Sequence, residues 1–134
     1  MNLSSHGIVA LVQKEGRFLL LEDARELMRG LWAPPHGRCE EIDSSEEDSV
    51  KREVYEETGL RVEPIRKIHT QPADTKVKTV SFWLAETNDD KVKLDDESSN
   101  SGWFTIGEAL ELPLYPGTKS FFDMVQRNEI QLGE

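Results

Sequence analysis

Residues Arg52-Glu53-Val54-Tyr55-Glu56-Glu57-Thr58-Gly59-Leu60 carry three glutamates at the end of a helical pattern. Upstream, Ser44 or Ser45 can cap a helix whose first turn is acidic through Glu46, Glu47 and Asp48. Ser44 and Glu47 have capping-box spacing. Val50 and Val54 mark a buried face, and Gly59 is placed to end the helix in a left-handed conformation. The pattern predicts a helix over Ser45–Thr58. On it, Glu56 lies about 60° to one side of Glu53 and Glu57 about 40° to the other, so the carboxylates share one arc. Like charges at these spacings cost about 0.2–0.5 kcal/mol per pair. The helix dipole adds roughly 0.3–1 kcal/mol against each acid in the last turn. Arg52 points about 100° away from Glu53 and is not placed to neutralise all three.

A divalent cation resolves this clustering. Mg²⁺ prefers carboxylate oxygen, keeps several waters and bridges to substrate phosphates. A solvated acidic helix face is the other reading of the same pattern.

The rest of the chain narrows the context. Its 134 residues suit one sizeable core, read here as a single domain over residues 1–134. Hydrophobic residues at 37% and charged residues at 31% place it among globular chains. The net charge of −10 argues against nucleic-acid polymers and anionic membranes as partners, and an anionic substrate then needs local basic residues or a bridging cation. One cysteine, Cys39, allows no intrachain disulfide, which fits a cytoplasmic location. The N-terminal stretch lacks the basic region of a signal peptide, and the run Ile8–Val12 is too short for a membrane span.

Local patterns predict strands over His6–Gln13 and Phe18–Glu22, joined as a hairpin by the turn Lys14–Arg17. Asp23–Gly30 reads as a loop and Leu31–Pro35 as extended. Further strands are expected over Leu60–Thr70, interrupted at Pro64, over Val77–Glu86, with Val80, Phe82 and Leu84 on one side, and over Gly102–Phe104. Thr87–Lys93 reads as a loop or hairpin turn. Thr105 and Glu108 offer a second capping box, and a last helix is expected over about Lys119–Arg127. The mixture implies an α/β sandwich with a mixed sheet.

The segment Gly37–Leu60 resembles the Nudix box, G-x5-E-x7-R-E-U-x-E-E-x-G-U, where U is aliphatic. Arg52–Leu60 match its second half fully. Upstream, Leu31-Trp32-Ala33-Pro34-Pro35-His36-Gly37-Arg38-Cys39-Glu40 is similar to the family's W-x-x-P-G-G-[KR]-U-E approach. Downstream, Trp103-Phe104-Thr105-Ile106-Gly107-Glu108-Ala109-Leu110 resembles its W-F-x-x-x-E-A-L. The first half of the box departs from the pattern. One extra residue stands between Gly37 and Arg52, Asp43 is the best match to the family's lone glutamate, and His36 stands where glycine is usual.

The resemblance implies a MutT-like α/β; Nudix-type α/β/α sandwich with a mixed β-sheet. It implies a pyrophosphohydrolase that cleaves the diphosphate linkage of a nucleoside diphosphate joined to another moiety. Glu53, Glu56 and Glu57 would bind Mg²⁺ or Mn²⁺, and Arg52 would anchor the loop through Asp43 or Glu56. The general base is open among Glu56, Glu57 and Glu97, the last in the acidic loop Asp95–Glu97. Arg38, His36 and Gly37 would face the substrate, a small nucleotide-type molecule, and the protein would be a monomer or homodimer. The alternative is a catalytically weak or inactive Nudix-like module that binds or senses a nucleotide or nucleotide sugar.

The remaining candidates have blander readings. His6 and His69 are expected to be strand residues, and Cys39, Trp32, Trp83 and Trp103 core residues. Lys76 and Lys78, or Arg66 and Lys67, can steer phosphates, and the loops Asp23–Gly30, His69–Lys76 and Leu112–Lys119 are the expected sources of specificity.

Overall fold

A computed structural model describes residues 5–73, 77–89 and 91–132. Strand β1 (His6–Lys14) turns at Glu15-Gly16, both at positive φ, into β2 (Arg17–Asp23). A short 3-10 turn, Glu26–Met28, follows, then β3 (Trp32–Ala33), β4 (His36–Arg38) and the helix α1 (Glu46–Thr58). The chain continues through β5 (Glu63–Pro72), β6 (Thr79–Glu86), β7 (Ser98–Phe104), the single turn α2 (Ile106–Ala109) and α3 (Pro116–Gln126).

The described residues form one mixed sheet: β1 runs parallel to β6, and all other strand pairs are antiparallel. β1 and β2 pair only beside their turn, at Gln13–Phe18 and Lys14–Arg17. Beyond it they diverge. β3 pairs with the end of β2 and β4 with the start of β1, so the segment from Trp32 to Arg38 fills the split. The Ala10 N–H donates to the Pro35 carbonyl at 2.8 Å inside this wedge.

Strand alternation sends side chains to two opposite cores. Ile8, Ala10, Val12, Leu19, Leu21, Trp83 and Ala85 pack with Val50 and Val54 of α1. Val9, Leu11, Phe18, Leu20, Phe82 and Leu84 pack with Ala109, Phe121 and Phe122. The Phe82 and Phe121 rings stack with centroids 4.1 Å apart. Helices therefore cover both faces of the sheet, giving the expected α/β/α sandwich. From Gly7 to Val12 β1 is apolar without interruption because both of its faces are buried there. Cys39, Trp32 and Trp83 are buried, Trp103 is partly buried against the α1-side core, and His6 and His69 lie in strands.

Several boundaries differ from the sequence pattern. Ser45 caps α1 through its Oγ, which accepts the Asp48 N–H at 3.2 Å, so the Ser44–Glu47 box is not used and the helix begins at Glu46. α3 begins three residues earlier than expected, with Pro116 in the first turn, where its missing N–H costs nothing. β5 starts at Glu63 rather than Leu60. Leu60 and Val62 are instead buried beneath α1, and the register slips between Pro64 and Arg66. β7 extends back to Ser98, because pairing with β2 recruits a polar stretch that has no strand signature of its own. Thr87–Lys93 connects β6 to non-adjacent β7, so it is a loop and not a hairpin turn, though Asp90 lies outside the described residues, as does Lys76.

Candidate active site

The α1 helix is fixed at both ends. At its start, Glu46 accepts hydrogen bonds from Trp83 Nε1 at 2.9 Å and Lys67 Nζ at 3.0 Å, and faces His6 Nε2 at 3.3 Å. These contacts tie the N-terminal turn to β1, β5 and β6. At its end, Gly59 adopts φ 74° and its N–H donates to the Tyr55 carbonyl at 2.8 Å, as a left-handed cap requires.

The loop before α1 is closed by Arg52. Its Nε and Nη2 donate to the two Asp43 carboxylate oxygens, both at 2.9 Å, and Nη2 also donates to the Arg38 carbonyl at 3.0 Å. Asp43 is buried and accepts two more bonds, from the Glu40 N–H at 2.9 Å and Ser49 Oγ at 2.7 Å. A shorter acid set one residue further back thus still reaches the arginine. The Arg52 guanidinium, with help from Ser49 and Glu40, holds the Asp43 carboxyl down at about 2. A depressed carboxylate contributes stability that is complete above its unfolded value and is lost as pH falls through the folded one. Unfolding by urea between pH 5 and pH 2 is therefore expected to lose about 2 kcal/mol more in the wild type than in Asp43→Asn.

Arg52 does more than its helical angle suggests. Its Nη1 reaches Glu53 at 3.1 Å and Glu56 at 3.3 Å, because a long side chain can bend back along the helix. Two of the three glutamates therefore share one cation, and Glu57 is left outside that group. The three carboxylates do not converge as the arc predicts. The Glu56 side chain is 55% exposed and turned toward Arg52, whereas Glu53 is only 12% exposed and bonded to Glu57. Among the described residues, no three His, Cys, Asp or Glu side chains come together closely enough to hold a metal ion.

Glu53 and Glu57 lie against each other on this face. Burial raises both carboxyls above the usual range. For Glu57 the adjacent Glu53 raises it further and Asp95 adds to the effect, opposed by the His36 main-chain N–H. Two acids held together under these conditions share a proton unless a cation replaces it. This donor set suits Mg²⁺, which takes one or two carboxylates and completes its shell with water and substrate phosphate.

Gly37 completes the cradle. A Cβ built there would overlap the Glu53 carboxylate itself, so a side chain at this position would push that carboxylate aside. Gly37→Ala is expected to keep the fold and lower turnover by about 100-fold through displacement of Glu53. Turnover within threefold of wild type would show that Glu53 has no fixed catalytic position.

His36 stands between two groups. Its main-chain N–H faces Glu57, and its ring packs edge-on against Tyr115 with centroids 5.2 Å apart. His36 Nδ1 lies 2.9 Å from the Pro34 carbonyl, which fixes the tautomer with the proton on Nδ1. Burial depresses its pKa and keeps the ring neutral. Arg38 is exposed on β4 and forms no ion pair with a described residue. Glu97 is more than half exposed, with its carboxylate 3.9 Å from Arg25 Nη1. Of the expected phosphate-steering cations, Arg66 binds the Gln131 and Leu132 carbonyls and Lys67 binds Glu46.

Beside His36 lies a cluster that the sequence pattern does not single out. Asp23, 6% exposed, accepts from the Arg25 N–H at 2.8 Å, Arg25 Nε at 3.0 Å, Arg25 Nη2 at 2.8 Å and the Tyr115 hydroxyl. Burial alone would raise the Asp23 carboxyl, but Arg25 and Tyr115 bring it down to about 2. Burial and Asp23 push the Tyr115 hydroxyl up to about 12. Tyr115 is positioned from far along the chain: its N–H donates to the Trp32 carbonyl at 3.0 Å, and Trp32 N–H donates to Pro113. The only sequence signal for this cluster was the polar break after β2.

The chain as a whole is similar to known proteins. A family model described as NUDIX domain matches residues 1–125. The bis(5'-nucleosyl)-tetraphosphatase [asymmetrical] of Mus musculus is 33% identical over 113 residues, covering 77% of this chain and 74% of the relative. The NAD-capped RNA hydrolase NudC of Actinobacillus succinogenes is 32% identical over 112 residues, but the chain spans only 42% of its length. The solved structure of a MutT protein from Methanosarcina mazei Go1 superposes with a TM-score of 0.75 at 27% identity, covering 92% of this chain and 94% of that one. The chain belongs to the NUDIX domain family, and its Nudix hydrolase relatives place it in the pyrophosphohydrolase class of enzymes. Among the described residues no helix is long and apolar enough to cross a membrane.

Proposed function

We propose that the protein hydrolyses the diphosphate linkage of a nucleoside diphosphate joined to another moiety, using Mg²⁺ or Mn²⁺. The observation that carries this reading is the Glu53–Glu57 pair, two acids kept side by side on the family's box helix against burial and mutual repulsion. Glu53 and Glu57, with Glu56 after release from Arg52, would hold the cation. When bound, it supplies charge neutralisation at the phosphates and lowers the pKa of an attacking water.

The chain's own residues supply position. Arg52 and Asp43 fix the loop that leads into α1, and the Gly37 backbone sets the floor against which the Glu53 carboxylate rests. The His36 N–H orients Glu57. Glu56, Glu57 and Glu97 remain the candidates to take the proton from water, with Asp95 added because its charge is felt at Glu57. Substitution at phosphorus depends mainly on such positioning and charge stabilisation.

The test is a product-release screen over nucleotides, dinucleoside polyphosphates and nucleotide sugars, with and without Mg²⁺. Mg²⁺-dependent release of a nucleoside monophosphate is the expected result. Calorimetry showing no uptake of Mg²⁺ or Mn²⁺, with those compounds present, would refute the proposal.

A further inference from the structure

We propose that Arg25 is a substrate-contacting residue that binds a phosphoryl group outside the cleaved linkage, so that the preferred substrate is a nucleotide carrying a longer phosphate chain. This rests on the hydrolase reading above.

The Arg25 guanidinium is immobilised before any ligand arrives. Its Nε and Nη2 are taken by the Asp23 carboxylate, and Nη2 also donates to the Tyr115 hydroxyl at 3.1 Å. Asp23 is itself buried at the end of β2 and its main chain closes the loop, through the Gly30 N–H at 2.9 Å. Among the described residues the edge at Nη1 makes no hydrogen bond and has only the Glu97 carboxylate, at 3.9 Å and 55% exposed. A contact of that length between exposed groups is worth little and is readily given up. The side chain remains 46% exposed, so the free edge is open to solvent.

Position and competition select this cation. Arg25 connects to Glu57 only in steps, from Nη2 to the Tyr115 hydroxyl, from the Tyr115 ring to the His36 ring, and from the His36 main-chain N–H to Glu57, with no direct contact between the two among the described residues. A group bound there is therefore separate from the linkage held at Glu53 and Glu57. Arg52 cannot serve, since its donors already bind Asp43, Glu53, Glu56 and the Arg38 carbonyl. A planar fork held rigid with one edge free suits phosphoryl oxygen, and little side-chain entropy remains to be lost on binding.

The test is calorimetric titration of α,β-methylene ADP and α,β-methylene ATP in Mg²⁺, neither of which can be cleaved at the methylene bridge. Arg25→Gln strands the buried Asp23, so the double variant Asp23→Asn/Arg25→Gln is measured beside it to preserve folding. Either variant is expected to lose at least about 10-fold in affinity for the triphosphate analogue and less than about twofold for the diphosphate. Equal losses on both analogues would mean that Arg25 contacts their shared part, and would overturn the proposal. No loss on either, or no binding of either by the wild type, would overturn it also. The hydrolase reading stands or falls separately, on Mg²⁺-dependent product release by the wild type.

Discussion

Glu57→Gln is expected to lower turnover at least about 100-fold while leaving the metal-free protein as stable as the wild type or more so. The two halves of this result come from one cause. Glutamine keeps the volume of the side chain and an oxygen for the His36 N–H, but removes the negative charge. Burial and Glu53 raise the Glu57 carboxyl, so in the absence of metal its ionised form opposes folding near neutral pH. The sign is the reverse of that for Asp43: stability is greater below the raised value and falls as pH rises from the unfolded value toward it. Glutamine removes this penalty. Wild-type turnover in Glu57→Gln would refute the metal assignment. A loss of activity accompanied by a lower urea midpoint would point to a structural role instead.

The second large effect is on stability. Arg52→Met strands the buried Asp43 carboxylate, which then keeps only its Ser49 and Glu40 donors. Breaking a buried ion pair from one side costs about 3–5 kcal/mol. Adding Asp43→Asn should recover a large part of that loss, because the uncompensated charge disappears with it. A shift below 1 kcal/mol for the single variant would show that the loop is held by other contacts. Activity should fall in both variants, since the Arg38 carbonyl and Glu53 lose the same partner.

The fold was legible where one stretch of chain carried its own signal. α1 could be read from Val50, Val54 and Gly59, and β1 from its unbroken apolar run. The second helix announced itself through Thr105 and Glu108, whose capping box is formed. Features that depend on partners distant in sequence were hidden. Ser98–Ser101 became strand only through β2, and Tyr115 entered the site region only through pairing beside Trp32. The site was legible at the level of residue type. The motif located Glu53, Glu56 and Glu57, but rotamers and neighbours separated them, since Arg52 draws Glu56 aside and burial pairs the other two. Asp23 and Arg25 carried no motif because their importance lies in one buried carboxylate that gathers groups from two ends of the chain.

The wedge between β1 and β2 carries a consequence for how such an enzyme can be altered. Gly37 and the His36 main chain belong to the sheet's ladder, so the proposed site is bolted to the chassis. The stretch around Glu26–Met28 and the one around Asp95–Glu97 hang outside that frame, joined to each other by the Ala24 N–H and the Glu97 carbonyl. A designer can therefore exchange the stretch around Glu26–Met28 to refit the protein for a different molecule, provided that Asp95 and Glu97 are kept, since they are candidates for the proton transfer.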